Sequence, residues 1–224
     1  MDFSNQYLHS SIGKKQIVAV TGLMLILFVF GHMAGNFFIY GGPDAYNAYA
    51  KKLSSLRPGL YLVEFGLLLV FLVHMHVTFL LVMENIRARS VPYSVQKPKG
   101  ERSWATRLMP YTGSIIIAFV IWHLLDFTFT DHHGARAILD GKDYGLYGVV
   151  YNAFSDITHS LLYIIAVACL GLHLSHGLES FFQTFGFNHP RYTPMIQNIS
   201  RLFGLLMFLG YSSMPVFVLI KNFS

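Results

Sequence analysis

The chain has 224 residues, 54% of them hydrophobic and only 12% charged, with a formal net charge of +5. An ordinary soluble domain carries about a quarter of its residues as Asp, Glu, Lys and Arg; this composition excludes one, and the mean hydropathy of +0.48 agrees. Cys169 is the single cysteine, which excludes a disulfide, a cysteine-held iron–sulfur cluster and a Cys-x-x-Cys-His haem attachment within the chain.

Five apolar runs follow in chain order, at about 16–40, 60–83, 111–130, 156–182 and 199–220. Each has roughly the 20 residues that carry a helix across about 30 Å of hydrocarbon. Lipid offers no partner to a backbone amide, so helices are expected, not strands. The fold class is therefore an all-α membrane protein, one domain over 1–224. The first run lacks a small-residue cleavage site and carries His32, so it reads as a span and not a signal peptide. Five crossings place the termini on opposite sides.

Lys and Arg set the orientation. With the N-terminus inside, the inner segments hold Lys14, Lys15, Arg87, Arg89, Lys97, Lys99, Arg102, Arg107, Arg191 and Arg201, ten in all. The outer segments hold six: Lys51, Lys52, Arg57, Arg136, Lys142 and Lys221. The N-terminus is expected to be cytoplasmic and the C-terminus outside. The basic inner rim is where anionic lipid or a soluble partner would meet the chain, and nucleic acid is not implied. An uninterrupted chain without a transit peptide fits a bacterial inner membrane.

The first run contains Thr21-Gly22-x5-Phe28-Val29-x2-His32, and the third repeats it as Thr112-Gly113-x5-Phe119-Val120-x2-His123. The second and fourth carry His74 and His173. A histidine inside a membrane is costly and marks function. By the helical rise, His32 and His123 come late in outward runs and His74 and His173 late in inward ones, giving two layers roughly 15 Å apart. Facing imidazoles at one depth of a bundle are a cofactor site. Four spans are thus expected to surround two stacked, non-covalent b haems, the outer ligated by His32 and His123 and the inner by His74 and His173. Each threonine lies eleven residues before its histidine, about 20° away around the helix. Thr21 and Thr112 are therefore expected in the core near the inner level, bonding haem propionates or helix backbone. Gly22 and Gly113 beside them admit a ring or a neighbouring helix.

Other polar residues compete for roles. His76 points nearly opposite to His74. His176 shares a face with His173 and is a rival ligand or haem-face contact. His159, near the outer end of the fourth run, is a candidate propionate or quinone contact. Glu64 and Asp126 at the outer rim are candidates for the proton that accompanies quinone redox change. His132 and His133, with Asp131, could suggest a metal site, but adjacent loop histidines read as solvated; His9 and His189 receive no role. Trp104 with Tyr111, and Tyr61 with Tyr144 and Tyr147, fit interfacial anchors. The stretch from Lys97 to Arg102 reads as a partner-docking loop or a solvated connection.

A family resemblance emerges from several motifs taken together. Ser11-Ile12-Gly13-Lys14-Lys15 precedes the first run, and Gly31-His32-Met33-Ala34-Gly35-Asn36 closes it. His74 is followed by Glu84-Asn85 and Ala88-Arg89, the second Thr112-Gly113 leads to His123, and His173-Leu174-Ser175-His176-Gly177-Leu178 precedes Gln183-Thr184-x-Gly186. Over essentially its whole length the chain resembles the cytochrome b subunit of succinate:quinone oxidoreductases, of the single-chain, five-helix, two-haem kind. The resemblance implies one haem between the first and third helices and another between the second and fourth, with His74 preferred over His76 and His173 over His176. It implies a flavoprotein with covalent FAD and an iron–sulfur subunit on the cytoplasmic side, and a quinone, typically menaquinone. The chain itself would bind no dicarboxylate, and pairing of complexes into dimers stays open. Some relatives carry a carboxylate two residues before the fourth-helix ligand; here that position is Gly171, so no proton route is expected through it. A cytochrome b subunit of a hydrogenase or formate dehydrogenase would share the histidine core but dock a periplasmic partner. A haem-free transporter or proton channel would be colourless.

Overall fold

The computed structural model describes residues 7, 10–88 and 104–223, with the side chains of 104–106 left aside. His9, Arg89, the Lys97–Arg102 stretch and the side chain of Trp104 lie outside the described residues. Helix α1 (Ser11–Asn36) starts where the Ser10 hydroxyl accepts the Gly13 amide at 3.0 Å, an N-cap bond that satisfies one free donor. It runs through a 3-10 turn (Phe37–Gly41) into α2 (Gly42–Ser54), whose Asp44 at the start and Lys51 and Lys52 at the end complement the helix dipole. Then come α3 (Gly59–Arg87), α4 (Trp104–Phe127), a hairpin of β1 (Ile138–Leu139) and β2 (Lys142–Asp143), α5 (Gly145–Ser155), α6 (Ile157–Thr184) and α7 (Thr193–Phe223).

Helices α1, α3, α4, α6 and α7 are long and apolar enough to cross a membrane. The chain is a predominantly helical, multi-pass membrane protein. Several helices continue past the apolar runs because hydrogen-bonded turns need not stop where hydrophobicity does. Pro110 consequently lies inside α4.

Helix α1 packs against α3 and α6, α4 packs against α6, and α6 makes its broadest contact with α7. Helix α3 leans chiefly on α1 and buries none of its residues. Near the N-terminal side, an ion pair between Lys14 and Glu84 joins α1 to α3. Glycines bring α6 and α7 together: a Cβ on Gly171 would lie 2.7 Å from the Gly204 carbonyl oxygen and 3.1 Å from Phe208 Cβ. That contact explains why position 171 holds no side chain.

The opposite side is capped by α2, α5 and the hairpin, none of them long enough to stand out as a hydrophobic run. Asn47 binds the two cap helices, donating to the Tyr144 carbonyl at 2.8 Å and accepting the Tyr147 amide at 3.1 Å. The hairpin turns at Asp140 and Gly141, both at positive φ (50° and 77°), the conformation that tight hairpins favour and that Asp-Gly tolerates.

Candidate functional site

Across the bundle, on the side of the cap, His32 of α1 faces His123 of α4 with ring centroids 5.8 Å apart and planes at 88°. Phe28 stacks on His32 at 5.5 Å, while Phe119, Phe127 and Tyr163 surround His123 at 5.8, 5.3 and 6.2 Å. Asn36, one turn beyond His32, donates its amide to the His32 carbonyl at 2.9 Å and lies 3.3 Å from His32 Nε2. Tyr46 of α2 donates to the other end of that amide, Asn36 Oδ1, at 2.9 Å. This bond fixes the amide with its NH2 toward the imidazole, so His32 Nε2 carries the lone pair. His123 Nδ1 is buried without a hydrogen-bond partner.

Toward the N-terminal side, a second set repeats one arrangement twice. Thr21 Oγ1 lies 3.0 Å from His74 Nδ1 and donates to the Ile17 carbonyl at 2.7 Å. Thr112 Oγ1 lies 3.2 Å from His173 Nδ1 and donates to the Leu108 carbonyl at 3.1 Å. The adjacent glycines make room for these rings: a Cβ on Gly22 would sit 3.2 Å from His74 Cε1, and one on Gly113 would sit 3.6 Å from His173 Cε1. His173 is within electrostatic reach of His74 and His176. From Thr21 to His32, and from Thr112 to His123, is about 16 Å of helix.

The residues so gathered fit an iron porphyrin. A haem of this type is held by neutral imidazole nitrogens in a shell of low polarity. The two levels offer four imidazoles, an unpartnered ring nitrogen on His123, aromatic walls and glycines beside two of the rings.

The remaining expected residues divide clearly. His76 is exposed, whereas His176 is partly buried with an unpartnered Nδ1. Glu64 is half exposed and pairs with Arg57 at 3.2 Å; no contact ties it to the histidines. Asp126 is 12% exposed at its side chain and gathers a cluster. Tyr163 donates to its Oδ2 at 2.9 Å, Arg136 donates to its Oδ1 at 3.2 Å, and His159 Nε2 lies 3.1 Å away without hydrogen-bond alignment. His159 in turn stacks on Tyr163 at 4.8 Å and meets the edge of Trp122 at 5.0 Å. The loop histidines take separate partners, His132 the Phe127 carbonyl and His133 the Asp143 carboxylate, each at 2.8 Å. Among the described residues no cluster of His, Cys, Asp and Glu is placed to hold a metal ion by itself.

Sequence reasoning missed the roles of Tyr46, Tyr163 and Arg136. Tyr163 follows His159 by one helical turn and was within reach of a spacing argument. Tyr46 and Arg136 arrive from the cap, where no periodicity announces them.

No family model and no solved structure matches the chain. It is 28% identical over 211 residues, 94% of its length and 92% of the relative's, to the succinate dehydrogenase cytochrome b558 subunit of Bacillus subtilis. That similarity runs along nearly the whole of both chains and accompanies the five apolar helices and the motifs they carry.

Proposed function

We propose that this chain is the membrane-anchoring, dihaem cytochrome b subunit of a succinate:quinone oxidoreductase, passing electrons between an iron–sulfur subunit and membrane menaquinone. The observation that carries the proposal is the opposition of His32 and His123 at 5.8 Å in the bundle interior, with His74 and His173 forming a second level toward the N-terminal side. The name of the Bacillus subtilis relative, a cytochrome b558 subunit, supports haem b as the cofactor.

Bound haem supplies one-electron redox chemistry that no protein side chain here offers. The chain's part is to present imidazole lone pairs from four helices, exclude water with aromatic and aliphatic side chains, and set the potential through that low-dielectric shell. Around Asp126, Tyr163 and Arg136 hold a carboxylate in place on the face of His123, one turn beyond it. A carboxylate so placed takes or gives the proton of a quinone, and the ring of His159 provides a second polar contact. The basic side, cytoplasmic in this reading, docks the iron–sulfur protein and a flavoprotein with covalent FAD, where the dicarboxylate chemistry occurs. The membrane is the bacterial inner membrane.

The test is pyridine haemochrome stoichiometry on the purified complex. Two haems b per copy are expected, with low-spin bis-histidine spectra. One or none overturns the proposal.

A further inference from the structure

We infer that Thr21 and Thr112 are a matched pair of positioning residues, each accepting the Nδ1–H of an inner histidine from the neighbouring helix and so reserving its Nε2 as the ligand atom. The inference rests on the dihaem reading above and goes beyond it by assigning what sets the inner ligands' tautomer.

A threonine hydroxyl has one proton and two lone pairs. At Thr21 the shorter contact, 2.7 Å, runs to the Ile17 carbonyl, which can only accept. The hydroxyl proton is committed there, so the oxygen faces His74 Nδ1 at 3.0 Å with a lone pair. Nδ1 must then bring the hydrogen, and a neutral imidazole with Nδ1–H has its lone pair on Nε2. Thr112 is arranged alike: 3.1 Å to the Leu108 carbonyl, 3.2 Å to the Met109 carbonyl and 3.2 Å to His173 Nδ1. Both threonines are buried, 9% and 6% exposed as residues, which keeps water from replacing them.

The device is built twice, by two helices ninety-one residues apart in register (21 against 112). In each, the threonine supplies the acceptor and the following glycine supplies the space for the ring edge. The cap-side histidines lack this arrangement: His123 Nδ1 has no partner, and Asn36 approaches His32 at Nε2. The threonines therefore distinguish one level from the other. An acceptor on the distal nitrogen orients a ligating imidazole and strengthens it as a donor, which favours the ferric state and lowers the reduction potential.

The test uses the assembled complex carrying Thr21→Val, Thr112→Val and the two Thr→Ser variants, with each haem followed by redox titration and low-temperature EPR. Valine keeps the shape and removes the acceptor. Both valine variants should raise the potential and alter the low-spin g values of the same one of the two haems, leaving the other as in wild type. Weakened haem retention, by about 10- to 100-fold as for other lost outer partners, should be confined to that haem. Serine should restore wild-type values. If either valine variant fails to accumulate, the other carries the same expectation, because both hydroxyls serve one haem. Unshifted haems, shifts in two different haems, or serine variants that behave as valine would overturn the inference while leaving the dihaem reading intact. A wild-type complex with fewer than two haems would overturn both.

Discussion

Gly171 and Gly204 meet backbone to backbone, so that a Cβ on Gly171 would fall 2.7 Å from the Gly204 carbonyl oxygen. It is one of several close glycine contacts by which α7 is fastened to the preceding spans: a Cβ on Gly204 would fall 2.3 Å from the Gly171 carbonyl oxygen, and one on Gly210 would fall 2.4 Å from Met33 Sδ. In lipid, helices associate through close packing of small residues, not through hydrophobic expulsion. Gly171→Ala must therefore push α7 outward or bend α6. It is expected to cost about 1–3 kcal/mol, the usual penalty of overpacking, read as a lower thermal transition of the detergent-solubilised complex. An unchanged transition would show that the two helices slide apart freely. The same geometry forbids a carboxylate at position 171.

Asp126 and Glu64 look equivalent in sequence, both acidic and at the same rim. The structure separates them. Asp126 is held by Tyr163, Arg136 and the adjacent His159, while Glu64 is solvated with Arg57. Asp126→Asn is expected to reduce quinone-linked turnover at least tenfold with both haems retained, and Glu64→Gln to leave it within about twofold. Succinate oxidation by an artificial acceptor should be normal in both. If Glu64→Gln proves the more damaging, the proton site lies on α3 instead.

The comparison of these two carboxylates shows how far the sequence could be read. Five spans, their helical nature and the two histidine levels follow from lengths, the helical rise and the positions of His32, His74, His123 and His173. The Thr-Gly repeat was also visible, including its place near the inner level. What each threonine touches was not, because the partner comes from another helix: spacing within one helix fixes a face but not the neighbour's side chain. The cap was illegible for a different reason. Its elements are short and held by single polar side chains such as Asn47, which leave no periodic trace. Arg136 and Tyr46 reach the site from there.

The hairpin beside the cap gives a pH dependence with a definite sign. The hydrogen bond that His133 donates to the Asp143 carboxylate raises the pKa of His133 above the ordinary 6.5. The Gly145 amide, and then His133, lower that of Asp143 below 3.8. A raised histidine stabilises the fold fully below its unfolded value and loses that contribution as pH rises through its folded value. A lowered aspartate contributes above its unfolded value and loses it as pH falls through its folded one. The hairpin should thus be best ordered between about pH 3.8 and 6.5. Hydrogen exchange of 131–144, corrected for intrinsic rates, is expected to show more protection at pH 6 than at pH 8. His133→Asn should remove the difference. Equal protection at both pH values in wild type would refute the pairing.

Tyr46 acts on His32 through a single intermediary. Its hydroxyl holds Asn36 Oδ1 at 2.9 Å, and Asn36 places its amide 3.3 Å from His32 Nε2 while anchored to the His32 carbonyl. Tyr46→Phe removes the donor that fixes which end of the amide faces the imidazole. It leaves a partly buried carbonyl oxygen unpaired, at about 1–3 kcal/mol. Asn36 is then free to turn its oxygen toward the ring and pull a proton onto Nε2, the atom that the haem reading needs bare. The expected result is slower or incomplete haem loading at the His32–His123 level, with the His74–His173 level normal. Haem per polypeptide should fall from two toward one, without loss of the membrane-inserted chain. A general packing defect would disturb both levels together, and that outcome would rule out the relay through Asn36.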